Sequence, residues 1–318
     1  MKLSFEELYN QMKKNLEGNF QDLIENAKKE SKRNTKISLI ICIIIDIIIV
    51  LLFIVKGIGN DVALLIVAIW ICLILDLFIF IMIHAIFSKN NRECNKRFKE
   101  SIISTLIGNF YDNIMYNPTY KLDRRIYDEA RYNEYYNRYD AEDYFKGQIL
   151  NRYNMEMAEI KTEKVETRRD SNGNTRTTTD LKFFGLFAKV NMEKSLQTSL
   201  QIRGNNKISV GEQVRMDSLE FEKYFDIASD NKIITMQVLT HEVMEMLIDF
   251  QIKSGIKFDI SIYGRKMYLR FHTREMFELK SIKKGVFDED MLRKYYDVLE
   301  FTYVLSKRLI ELIEAAKI

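Results

Sequence analysis

Proline and glycine are scarce. A single proline, Pro118, and 12 glycines in 318 residues leave the chain few places to interrupt regular structure. That excludes a linker-rich or disordered protein. Three cysteines, Cys42, Cys72 and Cys94, share no regular spacing, and two lie in an apolar block, which excludes a disulfide framework and fits a reducing compartment. Charge of one sign is also missing: 48 Lys and Arg against 45 Asp and Glu leave a net charge of +3, too little to imply a nucleic-acid partner. The sequence has no phosphate-cradling glycine loop, no Ser-His-Asp arrangement on a nucleophile elbow and no CxxC pair. No cofactor is expected, and the prospect of an enzyme is lowered.

Apolar residues are abundant, but only in one block from Ile37 to Phe87. The 19 residues 37–55 are interrupted only by Ser38, Cys42 and Asp46, and ~20 apolar residues span a bilayer as a helix. Their insertion energies, about −0.3 to −0.6 kcal/mol each, outweigh about +2.5 to +3.5 kcal/mol for the aspartate. A second run, residues 62–87, contains only Asp76 and His84 as strong interruptions. Residues 56–61, Lys-Gly-Ile-Gly-Asn-Asp, leave room for a short exoplasmic turn and nothing more. Lys28, Lys29, Lys32, Arg33 and Lys36 precede the first run, and Lys89, Arg92, Lys96, Arg97 and Lys99 follow the second, while the loop holds only Lys56. This asymmetry predicts a multi-pass hairpin with both termini cytoplasmic. The basic clusters, Lys99 aside, are placed to contact anionic lipid headgroups. The 36 mostly polar residues before the first span predict no ordinary cleaved signal peptide.

Ser38, Cys42 and Asp46 recur every fourth position, and so do Ala68, Cys72 and Asp76. Each helix therefore carries one small or polar stripe, and antiparallel register pairs Asp46 with Cys72 and Cys42 with Asp76. Two readings stay open. The stripe is a helix interface in which protonated aspartates donate hydrogen bonds, or it is a proton or cation relay in an oligomer.

Outside the block, an amphipathic helix is expected over residues 1–36 behind a Ser4/Glu7 capping box, and a stalk helix over 88–117, stopped by Pro118. The two are expected to pack as a stalk. A cytoplasmic α+β domain is expected over 118–285 and a C-terminal amphipathic helix over 286–318. Strands are expected at 149–165, 181–190, 197–202, 207–214, 256–263 and 266–271, with turns at Asn172-Gly173 and Gly264-Arg265. Helices are expected at 218–224 and 240–253. The tyrosine-rich segment 127–144 mixes acids and bases and reads as packing rather than a base-stacking platform. In the last helix Met291, Val298, Leu305 and Leu312 repeat at sevenfold spacing, a seam that wants a partner.

His241-Glu242-Val243-Met244-Glu245 resembles a zinc-protease helix with its second histidine replaced by glutamate. With three histidines in the chain, a nitrogen-rich zinc site is not expected, and the segment reads as an amphipathic helix capped by Thr240.

Several short segments resemble the bacterial membrane-protein family catalogued as domain of unknown function 3137. They are Tyr139-Asp140-Ala141-Glu142-Asp143 with Gly147, Phe183-Phe184-Gly185-Leu186-Phe187, Glu220 to Phe225, Ser229-Asp230, Leu239-Thr240 and Phe277-Glu278. The resemblance implies an inner-membrane protein with a cytoplasmic domain and supplies no catalytic residues. His241 stands where the family pattern suggests proline. The resulting expectation is a non-enzymatic membrane-anchored scaffold, sensor or binding module in the bacterial cytoplasmic membrane, with a homo-oligomeric or protein partner. Two alternatives are an ion- or proton-conducting assembly built on Asp46 and Asp76, and a membrane-bound hydrolase using Glu142, Asp143 and His241.

Overall fold

A computed structural model describes residues 2–55, 62–86, 89–169, 175–204, 212–279 and 286–315. The chain divides into two compact units, one of residues 1–10, 99–278 and 289–318, the other of residues 11–98 and 279–288. Together they mix helices with one antiparallel sheet, so the class is α+β.

The helices of the second unit begin in a single element. α1, Phe5–Val55, is one unbroken helix of 51 residues, about 77 Å at 1.5 Å per residue. Ser4 and Glu7 cap it: the Ser4 N–H donates to Glu7 Oε2 at 2.9 Å and the Glu7 N–H to Ser4 Oγ at 3.4 Å. The amphipathic segment expected to end at residue 36 therefore runs directly into the apolar one. α1 is long and apolar enough to cross a membrane. Leu39, Ile40, Ile43, Ile44, Ile47, Ile48 and Leu52 are all more than half exposed. α2, Val62–Ile86, shows the same character, with Trp70, Ile74, Leu77 and Phe78 each more than 60% exposed.

After α3, Lys89–Arg97, a π-helical stretch Phe98–Ile103 leads to α4, Ser104–Phe110. The stalk helix expected to reach residue 117 ends here. Tyr111 turns extended (φ −114°, ψ 148°) and its hydroxyl donates to the Leu299 carbonyl at 3.1 Å. Residues Asp112–Asn117 form strand β1, at the edge of the sheet and with one face more exposed than the other.

The sheet continues with β2 (Arg138–Ile149), β3 (Tyr153–Arg169), β4 (Thr175–Gly204), β5 (Phe225–Ser229) and β6 (Phe258–Phe271). All pairings are antiparallel, in the order β1-β2-β3-β4-β5, with β6 also on β4. The turn at Asn172-Gly173 lies outside the described residues, but Arg169 pairs with Thr175 on either side of it.

β6 is folded on itself. The His272 N–H donates to the Lys257 carbonyl at 2.8 Å, and the Asp259 and Arg270 side chains meet at 2.5 Å. Eleven residues of extended strand would hold those two about 36 Å apart, so the chain reverses at Gly264-Arg265, where Gly264 takes φ +55°. β4 follows both arms: residues 186–191 pair with 271–266 and residues 200–203 with 262–259, bending where Leu196 meets Gly264. The hairpin thus sits between two halves of one strand. Gly185 has no room for a side chain, because a Cβ there would lie 1.9 Å from the Phe271 carbonyl oxygen.

One sheet face carries Ala158, Ile160, Phe183, Phe187 and Tyr268 and is covered by Leu122, Tyr127, Tyr132 and Tyr136. Leu122 lies just before α5, Arg124–Asp128, Tyr127 on it, and Tyr132 and Tyr136 in the segment after it. The tyrosines pack as the sequence suggests. The other face is covered by α8, His241–Ser254, and α9, Glu289–Ala315; Phe301 stacks on Phe250 at 3.8 Å and meets Phe258 edge-on. Met291, Val298 and Leu305 of the sevenfold seam are buried, as are Tyr295 and Leu309 between them, while Leu312 is half-buried, so most of the seam is covered within the unit. Two short helices, α6 (Leu219–Glu222) and α7 (Lys232–Val238), flank β5 and are capped by Ser218 and Asn231. Of the strand expected at 207–214, residues 207–211 lie outside the described residues, and Gln213 makes a single bridge to Ala228.

Candidate functional site

The most unusual chemistry in the sheet-bearing unit is a knot of acids around one lysine. β2 bulges between Glu142 and Phe145, and Asp143 takes φ +53°, a left-handed conformation that re-aims its side chain inward. Its N–H donates to the Pro118 carbonyl at 3.1 Å. Asp143 is fully buried. The Lys99 ammonium donates to Asp143 Oδ2 at 2.8 Å and also pairs with Glu278, while the Tyr116 hydroxyl donates to Asp143 Oδ1 at 2.5 Å. Ligand oxygens of Glu142, Asp143 and Glu278 all lie within 4.8 Å of one another.

Glu159 on β3 is the direct cross-strand partner of Glu142. It alternates with Ala158 and Ile160, which face the tyrosines, and so points to the helix-covered face. Its Oε2 accepts the Met276 N–H at 2.5 Å, but its Oε1 is buried with no partner among the described residues.

Burial shapes these groups. It pushes Asp143 up to about 6, with Lys99 pulling the other way, and Glu159 up to about 8, reinforced by the charges of Asp143, Glu142 and Glu275. Glu142 is raised for the same reason. Burial opposes the charged form of Lys99, but Asp143 and Glu278 outweigh it and hold the ammonium protonated.

A second buried network faces the tyrosines. Arg270, 1% exposed, holds Asp259 through Nε and takes Glu134 in a two-pronged grip at 2.7 and 2.8 Å. Its Nη1 also donates to the Tyr127 hydroxyl at 3.1 Å, and its guanidinium lies 4.0 Å from the Tyr132 ring centroid. Arg203 donates to the Tyr132 carbonyl at 2.6 Å, and His272 Nε2 lies 3.2 Å from Asp259. Burial alone would raise Asp259, but Arg270, His272 and Arg203 outweigh it and hold the carboxyl well below its usual range. Above this network Tyr127, Asp128, Tyr132, Glu134 and Tyr136 line a pocket of about 200 Å³. The charges are matched and point at one another, so the network ties the tyrosine segment to the sheet.

The sequence-derived polar positions lie in α1 and α2. Cys42 Sγ donates to the Asp76 carbonyl oxygen at 3.9 Å, and the Cys72 thiol hydrogen-bonds the Asp46 side chain. Asp46 Oδ1 and Asp76 Oδ1 have no partner among the described residues. Ser38 is buried and donates to the Thr35 carbonyl at 2.9 Å. Lys28, Lys29, Lys32, Arg33, Lys36, Arg92, Lys96 and Arg97 are exposed; Lys29 pairs with Glu25 and Arg97 with Glu93. The side chain of Lys89 lies outside the described ones.

His241 opens α8, whose cap is the Thr240 hydroxyl accepting the Val243 N–H. It is exposed and pairs with Glu245 at 3.1 Å, while Glu242 pairs with Arg308. Among the described residues, His241 shares no hydrogen-bond or ion-pair partner with Glu142 or Asp143. Sequence reasoning singled out Glu142 and Asp143 but missed Lys99, Tyr116, Glu159 and Glu278 as their neighbours.

No curated protein matches the sequence. The crystal structure of the mycobacterial trehalose monomycolate transport factor A is similar over 65% of this chain and 94% of that chain, with 9% identity and a TM-score of 0.34. At that level the likeness carries no argument about fold or activity. The family described as Protein of unknown function (DUF3137) matches over residues 181–312. The segment running from within β4 into α9 therefore belongs to the DUF3137 family.

Proposed function

We propose that the chain is a membrane-anchored binding module that crosses the bacterial cytoplasmic membrane twice through α1 and α2. Both termini and the α+β unit then lie in the cytoplasm, where the unit serves as scaffold or sensor for a protein or ligand. The observation that carries the reading is the exposed apolar surface of these helices: Leu39, Ile44, Ile48, Trp70, Leu77 and Phe78 are each more than half exposed. Water solvates such a surface poorly, and lipid covers it at no hydration cost. The exposed cations of residues 28–36 and 92–97 support the orientation and contact with anionic headgroups.

Single cysteines placed at Lys2 and Asp61 in a background with Cys42, Cys72 and Cys94 replaced by serine test it. Labelling of intact cells by an impermeant maleimide at position 61 and not at position 2 is the expected result. Label at position 2, or recovery of the chain from the detergent-free soluble fraction, refutes it.

A second reading has its own observation, the unpartnered carboxylate oxygens of Asp46 and Asp76 beside Cys42 and Cys72. In an oligomer these groups would line a path for protons or cations. Reconstituted vesicles whose conductance disappears with Asp46→Asn and Asp76→Asn would favour it, and vesicles that never conduct would remove it.

A further inference from the structure

We infer that the tyrosine-lined pocket is a site for a small carboxylate, and that Glu134 holds the place of that ligand in the Arg270 fork until the ligand displaces it.

The segment that carries Glu134 is a strap. Residues 131–136 form neither helix nor strand. One end is fixed by the Asp123 cap of α5, and the other by Asn137, whose side-chain amide donates to the Val165 carbonyl and accepts the Val165 N–H, each at 2.7 Å. Between these ends Gln201 Nε2 donates to the Arg131 carbonyl at 3.2 Å, Arg203 Nη2 donates to the Tyr132 carbonyl at 2.6 Å, and Arg270 grips Glu134. The Glu134 side chain is 24% exposed, so solvent reaches the one carboxylate of this network that the strap supplies. A fork that takes one planar carboxylate takes another of the same geometry, and the exchange leaves the charge of the network unchanged. A phosphate dianion would add a charge beside Asp259.

A second observation, separate from that pair, lies beneath the strap. The Tyr132 hydroxyl, Arg203 Nε, Gln201 Oε1 and the Ser261 hydroxyl are buried with no hydrogen-bond partner among the described residues, on side chains no more than 6% exposed. These atoms belong to one neighbourhood. Gln201 faces Ser261 and Arg203 faces Asp259 across the ladder of β4 and β6. The Arg270 and Arg203 guanidiniums lie 4.0 and 5.1 Å from the same Tyr132 ring centroid. Asp259 is taken by Arg270 and His272, so among the described residues Arg203 meets a carbonyl and a ring but forms no ion pair. A buried guanidinium nitrogen and a buried phenol with nothing to donate to are rare, and a carboxylate is the acceptor both lack. The adjoining pocket of about 200 Å³, walled by Tyr127, Tyr132 and Tyr136, has room for the body that bears it; a cavity of about 150 Å³ holds a benzene ring.

The inference gives the binding module a ligand class and concerns the sheet-bearing unit alone, so it and the membrane reading fail separately. Calorimetry on the detergent-solubilised full chain tests it, with benzoate as the probe and inorganic phosphate as the comparison. Benzoate is expected to bind wild type, and to bind Glu134→Gln, where the internal competitor is weakened, about tenfold more tightly. Tyr132→Phe is expected to weaken benzoate about tenfold while leaving the melting temperature of the free protein unchanged, because its hydroxyl has no partner to lose. If Glu134→Gln does not fold, wild type and Tyr132→Phe carry the test: benzoate should raise the melting temperature of the first more than that of the second. Absence of benzoate heat in folded wild type and Glu134→Gln, equal affinity in those two, binding indifferent to Tyr132→Phe, or phosphate bound more tightly than benzoate overturns the proposal.

Discussion

The sheet buries charge on both faces, and the two faces handle it differently. On the tyrosine side, Arg270 is matched by Asp259 and Glu134 with several well-formed hydrogen bonds. On the helix side, Lys99 is shared between Asp143 and Glu278, and among the described residues Glu159 Oε1 has no partner. A matched buried network holds because removing one partner leaves the other desolvated and unpaired, whereas a carboxyl raised by burial can shed its charge instead.

The contrast can be broken at its balanced end first. Arg270→Met should deprive the buried Asp259 of its guanidinium partner, leaving His272 and the Gly204 N–H beside it, and cost about 3 kcal/mol, read as a shift of the urea midpoint. Adding Asp259→Leu should recover much of that loss; a double variant no more stable than the single one would mean Arg270 acts through packing instead. Gly185→Ala, which drives a Cβ into the Phe271 carbonyl, should cost about 2 kcal/mol or more by overpacking, measured the same way.

Acid separates the faces further. Asp259 has a folded-state pKa below its unfolded one, so the stability it contributes is present above about pH 4 and is lost as pH falls below that. Melting temperature followed from pH 6 to 3 should therefore drop more steeply in wild type than in Asp259→Asn. Equal slopes would show that the Arg270 pair does not govern acid stability. At the small end, Lys121→Ala removes an exposed pair with Asp140 and should leave the urea midpoint essentially where it is. A measurable loss would mean that exposed charge matters here more than the comparison allows.

Much of this was legible where the signal is local. Thr240 as a cap, the sevenfold apolar repeat of α9 and the Gly264-Arg265 reversal are written within a few turns of chain. β1 was not, because Ile102, Leu106, Phe110 and Ile114 keep a four-residue step past the point where Tyr111 turns extended. β5, α5 and α7 were missed because five to seven residues carry too little periodicity. The acidic cluster was invisible for a different reason. Lys99, Asp143, Glu159 and Glu278 come from distant points in the chain, and the Asp143 bulge that turns one inward has no sequence pattern of its own.

The hairpin held between two halves of β4 sets an order of events. Residues 186–203 have their inner neighbours only after residues 258–271 exist. A chain emerging from the ribosome would offer α1 and α2 to the bilayer long before its sheet gains a centre, and the gap would be lined with unpaired backbone groups. Stalled nascent chains should accordingly develop their folding force only once residue 272 has cleared the exit tunnel, and force arising with chains cut at residue 257 would show that the two halves close without their wedge.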